Sequence, residues 1–155
     1  MRRPREFPLE VPQYPRESGI FTTYIFRSEY ERRQARRLIE NEIPFVYEET
    51  TLDYRSVVRN ALCDMCGSTY CTQLRSYTPD FYFPLTGVFV ETKGKFDAPN
   101  RTKMKQVCQQ SEQDIRMVFM RDNFLTKKKK MSYGRWCDIN KIQWAVGDIP
   151  IEWTR

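Results

Sequence analysis

Polar and apolar positions change period several times along this chain of 155 residues. From Ser28 to Asn41 the apolar residues Ala35, Leu38 and Ile39 recur at helical spacing among Arg and Glu. Ser28 followed by Glu31 has the form of a capping box, and Pro44 bars the helix from running far past Asn41. The stretch "FVYEETTL" (45–52) then alternates and is rich in β-formers, which predicts a strand. "YTPDFYF" (77–83) and "GVFVETKG" (87–94) predict two more, joined at "PLTG" as a hairpin. "RTKMKQVCQQSEQ" (101–113) predicts a helix with Met104, Val107 and Cys108 turned inward. "DIRMVFMR" (114–121) predicts a strand whose unbroken apolar centre suits a sheet interior. "SYGRWCDINKIQWAVGDIPIEWTR" closes the chain with a short helix and an aromatic tail.

Two segments lack such periods. Residues 1–19 are basic and hold four prolines, which predicts an extended, mobile arm ahead of a single domain over 20–155. Residues 53–76 hold three of the five cysteines and predict an inserted loop or knuckle. The order helix, strand, strand, strand, helix, strand predicts an α/β fold, a mixed central sheet flanked by helices with a hairpin at its centre.

Composition narrows the chemistry. Forty per cent hydrophobic and 14% aromatic residues favour a folded chain. No apolar run reaches the roughly 18 residues of a membrane span, and the N-terminus lacks an apolar signal core, so a reducing cytoplasm is expected. The net charge of +6 favours a polyanionic partner such as nucleic acid. The count of zero histidines excludes imidazole as base or ligand, so any hydrolysis must use carboxylates, lysine and a metal.

The predicted hairpin concentrates charge where charge is costly. Alternation puts Phe89, Glu91 and Lys93 on one face of their strand and Val88, Val90 and Thr92 on the other. Glu91 and Lys93 are then about 7 Å apart along the strand. Asp80, directly after Pro79, lies across the hairpin. The plain reading is an interstrand salt bridge. The functional one is phosphodiester hydrolysis, with Asp80 and Glu91 as hard oxygen ligands for Mg²⁺. Lys93 would orient water or stabilise the transition state, with a pKa lowered by partial desolvation.

Pro-Asp followed, 11 residues after the aspartate, by Glu-x-Lys matches the PD-(D/E)xK nuclease motif. The wider text, "YTPDFYFP", "GVFVETKG", "FRSEYE", "FVYEE", "IRMVF" and "SYGRWC" to "IPIEW", resembles the phage endonuclease I family of Holliday-junction resolvases. The resemblance implies a restriction-endonuclease-like core and a catalytic set of Glu31, Asp80, Glu91 and Lys93. Glu31, otherwise the capping-box carboxylate, would come from one subunit and the other three from its partner in a strand-exchanged homodimer. The implied substrate is branched double-stranded DNA, cut to 5′-phosphates with Mg²⁺ or Mn²⁺, in host cytoplasm if the protein is phage-encoded. Of the basic residues, Arg27, Arg33, Lys95, Arg101, Lys103 and Lys128 are candidate DNA contacts. The cysteine-bearing insertion falls where the family has a short bridge between dimer halves, which leaves strand exchange open.

Cys63 and Cys66 have C-x-x-C spacing and Cys71 adds a third thiol, so Zn²⁺ is a candidate structural ion. Its fourth ligand would be Cys108, Cys137, Asp64 or a partner's cysteine, and ordinary thiols are the plain alternative. Two rival functions stand beside junction resolution: a sequence-specific nicking or restriction-type nuclease, and a non-catalytic cysteine-knuckle module that binds nucleic acid.

Overall fold

The central layer forms because short apolar segments pair edge to edge and cover both of their faces with helices. In a computed structural model, described for residues 6–59, 62, 66–68 and 70–155 (58, 59 and 70 as backbone), this layer is a five-stranded sheet. Its strands run β3 (Val46–Tyr47), β6 (Phe81–Phe83), β7 (Val88–Lys93), β8 (Ile115–Phe119) and β9 (Trp144–Val146) in spatial order. β3, β6 and β7 pair antiparallel; β7, β8 and β9 pair parallel, so the sheet is mixed as the sequence predicts. Gly87, at φ 72°, closes the β6–β7 turn with its N–H on Phe83 O at 2.8 Å.

Alternation in β7 splits the core in two. Val88 and Val90, with Val118 of β8, pack against Ala35 and Leu38 of α1 (Glu29–Glu40). Phe89, Met117 and Phe119 face the other way, against Met104 and Val107 of α2 (Ala98–Gln110) and Cys137 of α3 (Tyr133–Ile139). α2 is the crossover that carries the chain from β7 to its parallel neighbour β8.

Several expectations need correction. The boundary placed at residue 19 runs through a hairpin, since β1 (Phe7–Pro12) pairs antiparallel with β2 (Phe21–Phe26) and buries Val11. The strand expected over 45–52 is only two residues long. Glu48 turns out of it at φ 49°, a left-handed conformation that interrupts pairing. The loop expected over 53–76 is largely a ribbon, β4 (Leu52–Arg59) against β5 (Tyr70–Tyr77). α2 begins three residues early because Asp97 accepts the N–H of Asn100 and Pro99 fits the first turn. β9, read as tail, is a paired strand.

The zinc reading finds no support among the described residues, where no cysteine comes together with two further Cys, Asp or Glu as metal ligands. Cys63 lies outside them, Cys66 is exposed and Cys71 is half-buried. Burial pushes the Cys108 and Cys137 thiols up to about 12, which disfavours the thiolate a zinc ligand needs. No described helix is long and apolar enough to cross a membrane.

Candidate active site

Register alone assembles a row of carboxylates. Tyr47 pairs with Phe81, and Phe81 with Val90. One step on, Glu48, Asp80 and Glu91 stand side by side across three adjacent strand ends. The N–H of Glu48 donates to Asp80 O at 3.0 Å, which ties the first two together. Asp80 is 7% exposed and Glu91 2%, so the row faces the protein interior at the rim of the sheet.

Each member is held by a specific partner. Oδ2 of Asp80 accepts the backbone N–H and the hydroxyl of Thr92, both at 2.7 Å. Among the described residues its Oδ1 accepts none. One oxygen of Glu91 bonds Lys93 Nζ, and the other accepts the buried Tyr77 hydroxyl. Burial, then the charge of Glu91, pushes Asp80 up to about 8. Lys93 departs from its expected lowered pKa. Burial is the largest single influence and would lower it, but Glu91, Asp80 and Glu31 together raise it, so Lys93 stays an ammonium.

Glu31 meets the row from α1. It keeps its capping role, with its N–H on Ser28 Oγ at 3.2 Å and its Oε1 accepting that hydroxyl at 2.7 Å. Its Oε2 accepts the Tyr47 hydroxyl and the Arg27 N–H. Its negative charge is felt at Asp80, Lys93 and Glu48. All four candidate residues therefore gather within a single chain.

Two members were invisible to sequence reasoning. Tyr77 looked like a strand residue, and only its hydrogen bond to Glu91 reveals a positioning role. Glu48 grips Arg27 Nε at 2.8 and 3.0 Å, while the Arg27 side chain stays 73% exposed. The guanidinium's terminal nitrogens are thereby presented to solvent beside the row. Burial first, and the charges of Glu31 and Glu91 besides, raise the Glu48 pKa, partly offset by Arg27. The one available signal was the pair of glutamates breaking the alternation after "FVY".

The candidate DNA contacts divide. Lys95 is exposed just beyond Lys93, Arg101 donates to Phe96 O at 2.7 Å, and Lys103 Nζ lies 4.9 Å from the Tyr77 ring centroid. Lys128 sits in the exposed loop after β8, which leaves the sheet at the same end as Lys93 because β7 and β8 are parallel. Arg33 is not with them; it lies over the Tyr30 ring and near Asp148.

Known proteins match along most of this length. The profile of the phage endonuclease I family matches residues 13–155. "Endonuclease I" of Escherichia phage T7 is 34% identical over 139 residues, spanning 88% of this chain and 83% of that protein. "Endodeoxyribonuclease 1" of Enterobacteria phage T3 is 34% identical over 128 residues, spanning 81% of this chain and 74% of that protein.

Proposed function

The chain belongs to the phage endonuclease I family, and on that premise we propose that it resolves four-way and other branched DNA by metal-dependent hydrolysis to 5′-phosphate ends. Its relatives are named as endonucleases, and the chain is a DNA-hydrolysing enzyme like them. The observation that carries the site assignment is the buried pair Asp80 and Glu91 beside the charged Lys93.

The donor set fits a hard divalent cation. Burial, and then the charge of Glu91 beside it, push Asp80 up to about 8, and one Asp80 oxygen has no hydrogen-bond partner among the described residues. Two carboxylates, with water and phosphate oxygens filling the rest, is the usual coordination of Mg²⁺, and Mn²⁺ accepts the same ligands. Bound there, such an ion polarises the phosphate and lowers the pKa of an attacking water. Lys93, kept charged by its carboxylate neighbours, stabilises negative charge growing on the phosphate. Tyr77 fixes the rotamer of Glu91, and Thr92 that of Asp80. Glu31 supplies a further carboxylate at the row's edge, and Arg27 holds the phosphate backbone from outside.

We place the enzyme as a homodimer, since opposing strands of a junction need two centres. The decisive experiment compares a four-way junction with a linear duplex of the same sequence, with and without Mg²⁺. Symmetric cleavage of the junction alone, only with metal, is the expected result. Equal cutting of the duplex at one sequence would establish the nicking or restriction-type reading instead.

A further inference from the structure

Charge is distributed very unevenly over this fold. β4, β5 and α2 together hold six Lys or Arg residues and one acid, Asp53. That leaves 20 basic and 19 acidic residues elsewhere, so this unit accounts for five of the six net positive charges. α2 has no acid at all, and Arg101 and Lys105 repel each other at i and i+4 with no carboxylate between them. Asp53 is occupied, accepting the Ser76 hydroxyl at 3.0 Å.

These elements enclose a groove. It comprises two adjoining hollows that share Thr102 and Gln106 of α2, one walled by Ser56, Arg75, Asn100 and Lys103 and the other by Val57 and Lys105, and no carboxylate among the described residues lines either. The side-chain amide of Gln110 ties α2 to the ribbon, accepting the Arg55 N–H at 2.7 Å and donating to Arg55 O at 2.9 Å. One end opens at the candidate centre: Lys103 lies on the ring of Tyr77, whose hydroxyl reaches Glu91.

We propose that this ribbon–helix groove is a second binding surface for the DNA sugar-phosphate backbone, holding the arm that leads away from the scissile phosphate. It rests on the endonuclease reading and adds to it a path for the substrate. A helix of 13 residues is about 20 Å long, which spans about six base pairs of duplex. Ammonium, guanidinium and amide donors without base-reading geometry suit phosphates and give affinity without sequence preference. A clear run of positive charge from the carboxylate row outward keeps the substrate's own repulsion from the buried carboxylates in check.

The test is the salt dependence of binding. A fluorescent four-way junction is titrated in chelator, without cleavage, from about 50 to 200 mM salt. Arg75→Gln combined with Lys105→Gln is expected to lower the slope of log K against log salt by about 1.8, near 0.9 for each lost phosphate contact. Affinity should fall roughly 200-fold at the lower end of that range and roughly 20-fold at the upper. Arg75→Lys with Lys105→Arg should restore the slope, which a merely structural role would not require, and melting curves of all variants should coincide. Lys141→Gln, outside the groove, should change nothing. A double variant with the wild-type slope, while the wild type binds and cuts the junction, overturns the groove and leaves the endonuclease standing. A wild type that cuts no DNA overturns both.

Discussion

Asp80 carries its own pH signature. Its carboxyl is pushed up to about 8 by burial and by Glu91, against 3.8 when unperturbed. A metal ion must displace that proton, so Mg²⁺ or Mn²⁺ affinity should rise about tenfold per pH unit and level off above about pH 8. Calorimetric titration at three pH values checks this; a flat profile would show that Asp80 is not a ligand. The same shift predicts the stability of the metal-free protein. Because the folded pKa lies above the unfolded one, ionisation is disfavoured in the fold, and stability should fall as pH rises from about 4 to about 8. Asp80→Asn should remove that decline in urea denaturation. In cleavage assays Asp80→Asn and Glu91→Gln should each lose activity by about a thousandfold or more while junction affinity survives, because the groove and Arg27 are untouched. Near wild-type cutting by either variant would displace the candidate centre.

At the level of elements, legibility in the sequence followed periodicity. α1 could be read because it shows one face to the core, and the β6–β7 hairpin because β7 is apolar and buried on both faces; each carries its own end signal, Ser28 and Gly87. The ribbon could not, because among the described residues of its two strands only Tyr54 and Tyr77 are buried with the core around α2, and the rest reads as polar loop. β9 is short and half-exposed, so its pairing with β8 left no local pattern. The candidate site was legible as Asp80, Glu91 and Lys93 because alternation on one hairpin suffices to bring those side chains together. Glu48 joins through the β3–β6 register, and the charge state of Lys93 depends on how many carboxylates surround it; neither follows from spacing. Ser28 joins the two levels, since it caps α1 and orients Glu31. Ser28→Ala should cost about 1 kcal/mol of stability. It should also lower the cleavage rate beyond what Asp or Thr at the same position does, measured as melting temperature and single-turnover rate side by side.

For the whole molecule, the proposed homodimer raises the question of how two chains would divide two centres. The resemblance implies that Glu31 is donated across the dimer, yet one chain brings it to Asp80 and Lys93 by itself. Co-expressed Glu31→Ala and Asp80→Ala chains separate these arrangements. Self-contained centres, which the single-chain geometry supports, leave the mixed dimer inert. Centres shared between chains leave one intact, and the mixed dimer then nicks one strand of a junction. The ribbon bears on a different kind of question. Leu52 stands opposite Tyr77, so the chain leaves the core and returns to it at one place. Residues can be added or removed at the far end in pairs, one from each strand, while those two positions stay opposite each other. The ribbon is thus a point where descendants of one ancestor can drift in length, or where a foreign peptide can be grafted, with the carboxylates left in place.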